Sequence, residues 1–221
     1  MILQEERELV VQYGKKISTA GLTPGTSGNI SIYNAEKGLM AISPSGMDYF
    51  EIQPEDVVVT DLEANIADGK RKPSSEWALH TIFYKNKPEI SATIHTHSMF
   101  CTIFAVLGQE IQAVHYAIGD ANTNVVKCAP YCLFGTPELA EAAIQTCGEA
   151  NAVLLGNHGL ICCGKNIESA FSLTANLEYV AELQYRAMSI GTPNILSEEQ
   201  MRRVLERFKS YGQPDSGKSG Y

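Results

Sequence analysis

Strand-like runs joined by turns, with no helix between them, fill the first third of the chain and restrict the folds open to it. "NISIY" alternates apolar and polar residues directly after the Gly-, Ser- and Thr-rich loop "GLTPGTSG". "GLMAIS" reads as its hairpin partner, "PSG" as the turn that ends it, and "DVVVTDLEANIADGK" as two further strands around a turn. Parallel neighbours need crossovers of about a dozen residues or more. The segment therefore reads as a meander, not as a βαβ series.

Helical patterns surround the meander. Residues 1–20 set Leu3, Val10, Val11 and Ile17 among charges, an amphipathic opening helix stopped by Gly21. "KPSSEWALHTIFYKNKP" reads as a helix between two prolines, with Ser74 or Ser75 as cap and Glu76 in its first turn. "SATIHTHS" reads as a strand, "MFCTIFAVLG" as a helix ending at Gly108, and "TPELAEAAIQTCGEA" as a helix capped by Thr136. "NAVLLGNHGLICCG" reads as a strand pair with "GNHG" at its tip. A long helix over "NIESAFSLTANLEYVAELQYRAMSIG" follows, then a last one over "SEEQMRRVLERFKSYG" with Ser197 and Gln200 at capping-box spacing. The expectation is one α/β domain with a mixed sheet over residues 1–212 and a polar, disordered tail over 213–221.

The 221 residues suffice for one sizeable core. A formal net charge of −8 disfavours nucleic-acid and anionic-membrane partners, which need clustered Lys and Arg. No apolar run approaches the roughly 18 residues of a membrane span. "MILQEERELVVQYGKK" lacks a signal-peptide core and cleavage site, so a cytoplasmic location is expected. The six cysteines contain no C-x-x-C pair and read as small buried hydrophobes, not disulfides. A small anionic ligand stays open, because a few backbone N–H groups hold a phosphate without a basic surface.

Two of only five histidines stand two residues apart in "ATIHTHSMF". On a strand, residues i and i+2 share a face, so His95 and His97 project together and can meet one metal ion. His158 in "GNHG" offers a third ligand, since flanking glycines let its loop approach another backbone closely. Three imidazoles with an open position describe a catalytic zinc-like site. The plain alternative is a polar stripe on a strand, and H-x-H alone does not decide between them. His80, four residues after Glu76, lacks an H-E-x-x-H partner and reads as structural.

Small-residue loops form a second constellation. Ser74 and Ser75 at a helix start can turn hydroxyl and N–H groups toward an anion, although an ordinary cap is the simpler reading. "GTSGN" (25–29) and "SPSG" (43–46) are, singly, turns. Together the three loops suit a small phosphate pocket. Glu76, a carboxylate beside that pocket and a metal, suits general acid/base work; its plainer role is a favourable charge in a first helical turn.

In order, "GTSGN", "SPSG", "PSSEW", "HTH", "HY", "CAPY" and "NHG" resemble the class II aldolase/adducin family, from about residue 5 to about residue 212. Within it the chain is most similar to the enzymes that cleave L-fuculose 1-phosphate. The resemblance implies a three-layer α/β/α fold around a mainly antiparallel mixed sheet, and homotetramers with active sites between subunits. It implies one Zn²⁺, or another divalent metal, per subunit on His95, His97 and His158, approached by Glu76. It carries phosphate binding onto Thr26, Gly28, Asn29, Ser45, Gly46, Ser74 and Ser75. Catalytic roles fall on Glu76, Tyr116 and the C-terminal Tyr211. The implied reaction is reversible aldol cleavage of a ketose 1-phosphate, such as L-fuculose 1-phosphate, to dihydroxyacetone phosphate and a small aldehyde such as lactaldehyde.

Two departures bear on the substrate. Ser27 replaces an expected alanine, and "AIGDANTNVVKCAPY" carries Asp120 and Lys127 where small residues and proline are expected. A Schiff-base lysine is the other route to aldol chemistry, but most lysines sit in polar runs, and Lys127 is the exception. Ribulose-phosphate 4-epimerases of the family carry aspartate at the position of Glu76. Methylthioribulose-1-phosphate dehydratases share the glutamate and the histidines. Substrates with a small aldehyde half, such as 5-deoxyribulose 1-phosphate, stay open. Adducin-like heads lack the metal histidines, which are all present here.

Overall fold

The computed structural model describes residues 1–208. Tyr211 and the tail lie outside them. The opening helix is α1 (Gln4–Thr19), and the meander follows as β1 (Asn29–Asn34), β2 (Leu39–Ile42), β3 (Val58–Thr60) and β4 (Ile66–Asp68). Next come α2 (Trp77–Asn86), β5 (Ala92–Thr96) and α3 (Met99–Leu107), which ends as expected at Gly108 in a left-handed conformation. β6 (Ile111–Gln112), a 3-10 segment (Tyr116–Ala121), β7 (Val125–Val126) and β8 (Cys128–Ala129) lead to α4 (Pro137–Cys147), capped by Thr136. β9 (Ala152–Leu155) and β10 (Gly159–Gly164) form the hairpin. α5 (Ile167–Ile190) and α6 (Glu198–Phe208) follow, and Ser197 and Gln200 make the reciprocal bonds of a capping box.

Eight strands form one sheet in the order β4-β3-β2-β1-β5-β10-β9-β8. Every pairing in it is antiparallel except β8 with β9. The alternation of side chains sorts the two faces. Ile30, Ile32, Ile94, Leu160 and Cys162 pack toward α1, α3 and α5. Met40, Ile42, Ile161, Cys163 and Val153 pack toward α2 and α4. The fold is the three-layer α/β/α arrangement with a mainly antiparallel sheet. Burying both faces of the sheet is what makes strands such as β5 and β10 apolar almost throughout.

Helix α1 is tied to the meander by more than packing. Arg7 is buried, donates to the carbonyls of Ile2, Pro54 and Val57, and pairs with Asp68 at 2.8 Å. Gly14 lies against the ring of Tyr49, where any side chain would overlap the ring. The Tyr49 hydroxyl donates to the Gly28 carbonyl at 3.1 Å. No described helix is long and apolar enough to cross a membrane. All six cysteines are free thiols, and Cys101, Cys147, Cys162 and Cys163 are buried, as small hydrophobes would be.

Candidate active site

His95 is the penultimate residue of β5, a central strand, and faces the α2 side of the sheet. His97 lies one residue beyond the strand, not on it, yet the extended chain still turns both imidazoles the same way. Their Nε2 atoms are 3.0 Å apart. His158 sits in the β9–β10 turn, closed by a bond from its own N–H to the Leu155 carbonyl at 3.0 Å. The flanking glycines serve close approach, not unusual dihedrals. A Cβ on Gly156 would lie 2.8 Å from the Ala129 carbonyl oxygen, and one on Gly159 would lie 3.1 Å from the His97 ring. Asn157 takes the left-handed position of the turn instead.

The three rings are mutually edge-on, with centroids 4.7 to 5.0 Å apart, and a ligating atom from each lies within 4.8 Å of the others. His95 Nδ1 donates to the Leu160 carbonyl at 2.9 Å, which leaves the Nε2 lone pair facing the cluster. Burial first, then the neighbouring imidazoles, pushes the pKa of His95 well below its ordinary value. Burial likewise lowers those of His97 and His158, with Glu76 opposing in both. Neutral rings with convergent lone pairs are what a metal needs.

Glu76 closes the cluster from the α2 side. Its Oε2 lies 3.4 Å from His95 Nε2 and its Oε1 3.5 Å from His158 Nε2. Oε2 accepts from Asn29 Nδ2 at 2.9 Å, whereas Oε1 is buried without a hydrogen-bond partner. A buried carboxylate oxygen left over beside three imidazole lone pairs fits a divalent cation. Helix α2 begins at Trp77, so Glu76 is its cap residue, one position ahead of the expected first turn. Ser74 Oγ accepts from the Glu76 N–H at 3.2 Å and so caps the turn before the helix, not the helix itself.

Backbone bonds lace the three small-residue loops together. The Ser43 N–H donates to the Ile30 carbonyl at 2.9 Å, the Ile30 N–H to Ser43 Oγ at 3.1 Å, and the Ser74 N–H to the Ser43 carbonyl at 3.0 Å. Gly28 has φ +77°, and a Cβ there would lie 2.7 Å from the His95 carbonyl oxygen, so glycine is required on both counts. The loops and histidines enclose a cleft of about 440 Å³. Thr26, Gly28, Asn29, Ser45, Gly46, Ser74, Ser75 and Glu76 all line it, with His97 and His158. Tyr131, Cys132, Phe134 and Asn157 line it too, and sequence reasoning did not single them out. "CAPY" was the one signal pointing to that wall. Tyr116 is 53% exposed, lies against the His115 ring with centroids 4.5 Å apart and the planes tilted by 31°, and is not among the lining residues.

Residues 8–185 match the family described as Class II Aldolase and Adducin N-terminal domain. The chain belongs to this family. It is 49% identical over 213 residues to the 5-deoxy-D-ribulose 1-phosphate aldolase of Bacillus thuringiensis serovar kurstaki, covering 96% of this chain and 100% of that one. It is 38% identical over 206 residues to the 5-methylthioribulose-1-phosphate/5-deoxyribulose-1-phosphate aldolase of Rhodospirillum rubrum, covering 93% and 92%. Among solved structures, an L-fuculose 1-phosphate aldolase matches with a TM-score of 0.91 and 40% identity over 93% of this chain and 96% of that one. The class II aldolase described here is therefore a lyase. Its family depends on divalent metals, and the His95–His97–His158 cluster has the donor set for one.

Proposed function

We propose that the protein catalyses reversible aldol cleavage of a ketose 1-phosphate at C3–C4, giving dihydroxyacetone phosphate and a small aldehyde. The observation that carries this reading is the meeting of His95, His97, His158 and Glu76 beside a cleft lined by three small-residue loops, with Glu76, His97 and His158 in its wall. His95, His97 and His158 would hold a divalent ion, Zn²⁺ in our reading, which would supply Lewis-acid stabilisation of negative charge on the substrate. The loop N–H and hydroxyl groups of Thr26, Gly28, Asn29, Ser45, Gly46, Ser74 and Ser75 bind the phosphate and set the distance of the reacting carbons from Glu76. Glu76 delivers a proton to C3 as the bond breaks and removes it in the synthetic direction. Tyr116 takes the proton of the C4 hydroxyl.

Tyr116 is exposed and does not line its own cleft, so its role requires a neighbouring subunit. The exposed apolar side chains of Met99, Val106, Leu107, Tyr185 and Met188 support assembly, and a homotetramer is our reading. We take 5-deoxyribulose 1-phosphate, which yields acetaldehyde, as the preferred substrate and L-fuculose 1-phosphate as the second. The activity named for the Bacillus relative and the apolar wall of Tyr131 and Phe134 support that order. The test is metal-loaded protein with each sugar phosphate, following dihydroxyacetone phosphate. Release supports the aldolase. Loss of water without it would make the protein a dehydratase, and a new pentulose phosphate would make it an epimerase.

A further inference from the structure

Asn29 holds the Glu76 carboxylate, and His80 holds Asn29. Asn29 Nδ2 donates to Glu76 Oε2 at 2.9 Å, so its Oδ1 is turned toward His80 Nε2, with which it is in contact. An amide oxygen can only accept. His80 must therefore carry its proton on Nε2, and its Nδ1 accepts from Ser31 Oγ at 2.7 Å. Ser31 Oγ also lies 2.7 Å from the Tyr84 hydroxyl, which donates to the Ser31 carbonyl at 3.0 Å. Every bond then runs one way, from Ser31 through His80 and Asn29 to Glu76.

All five groups are buried, and the chain crosses from β1 to α2. Burial pushes the His80 pKa down to about 3, so the ring stays neutral with a single proton to place. With that proton on Nδ1, Nε2 would need a donor. Asn29 would have to reverse its amide and set an oxygen against the Glu76 carboxylate. The site of one proton on a ring outside the cleft thus decides whether Glu76 meets a donor or an acceptor.

We propose that His80 is a positioning residue that fixes the Glu76 carboxylate through Asn29 by holding its proton on Nε2. The role deepens the aldolase reading and rests on it for its effect on turnover. The tautomer itself is independent of any substrate.

Two measurements test it. Nitrogen NMR of the metal-free protein should show His80 as the neutral Nε2–H form; the Nδ1–H form would overturn the proposal whatever the protein cleaves. His80→Leu should lower kcat about 10- to 100-fold, with KM and bound metal unchanged. His80→Gln, whose amide N–H can replace Nε2–H, should restore much of the rate. In a Glu76→Gln background His80→Leu should cost nothing further, because the two act as one unit. Undiminished kcat in folded His80→Leu, or a loss that multiplies with Glu76→Gln, would reduce His80 to an ordinary core histidine. Absence of any ketose 1-phosphate cleavage with the Nε2–H form observed would sink the proposed reaction and leave the hydrogen-bond chain standing.

Discussion

The floor and the rim of the cleft are built on different principles. The floor, His95, Glu76, Asn29 and Ser74, is buried and hung on central strands and the turn before α2. The directions of its hydrogen bonds are dictated by backbone carbonyls or by other buried groups. The rim, Thr26, Ser45, Gly46, Ser75, Tyr131 and Phe134, is exposed and carried on loops. Strand-borne groups are held to within fractions of an ångström by the ladder, while loop-borne groups can change without unsettling the sheet. In the proposed reaction the first region carries the proton transfer to carbon, and the second holds the phosphate and, through Tyr131 and Phe134, meets the aldehyde half.

The sharpest way to break that contrast is His95→Ala. It should remove the bound metal, measured by elemental analysis, and with it all detectable cleavage. Glu76→Gln should keep the metal and lower kcat by about 10² to 10⁴, the range for lost general acid/base catalysis; loss of metal in that variant would make Glu76 a ligand first. Ser74→Ala, on the boundary between floor and rim, should raise KM about 10-fold with kcat less affected, as for one lost hydrogen bond to a charged group.

Acid should attack the buried support behind the floor before the rim. His80 has a folded pKa of about 3 and an ordinary value near 6.5, so the unfolded chain binds its proton first as pH falls. Its contribution to stability is present above about 6.5 and is lost progressively toward 3. Thermal melts of the metal-free protein should therefore decline through that window, and a flat profile would contradict the burial of a neutral ring. Ser27→Ala should change least. Its hydroxyl donates within its own loop, to the Pro24 carbonyl at 2.5 Å, so KM should stay within about twofold.

Much of both regions was legible because their signals are local. The i, i+2 histidines, the glycine-flanked His158 and the loop motifs are each short, and the strands of the meander alternate visibly. Strands of two residues such as β6, β7 and β8 carry no period to detect. The start of α2 was misplaced because Ser43 and Lys72 draw the neighbouring backbone into a bridge between Pro44 and Pro73 instead of a longer helix. The second wall of the cleft depends on tertiary packing, with Gly135 seated against the Ser75 carbonyl. The link from Glu76 through Asn29 to His80 joins residues 47 and 51 apart in sequence, which no window of the chain reveals.

The contact between Gly14 and Tyr49 gives the first helix a hold on the cleft it never reaches. A methyl group at position 14 would push the Tyr49 ring aside, and with it the hydroxyl that anchors the Gly28 carbonyl. Damage inflicted on a helix at the periphery would then surface as a slackened grip on the ligand. In a mutational scan, position 14 should group with the loop residues it steers, not with its own helical neighbours.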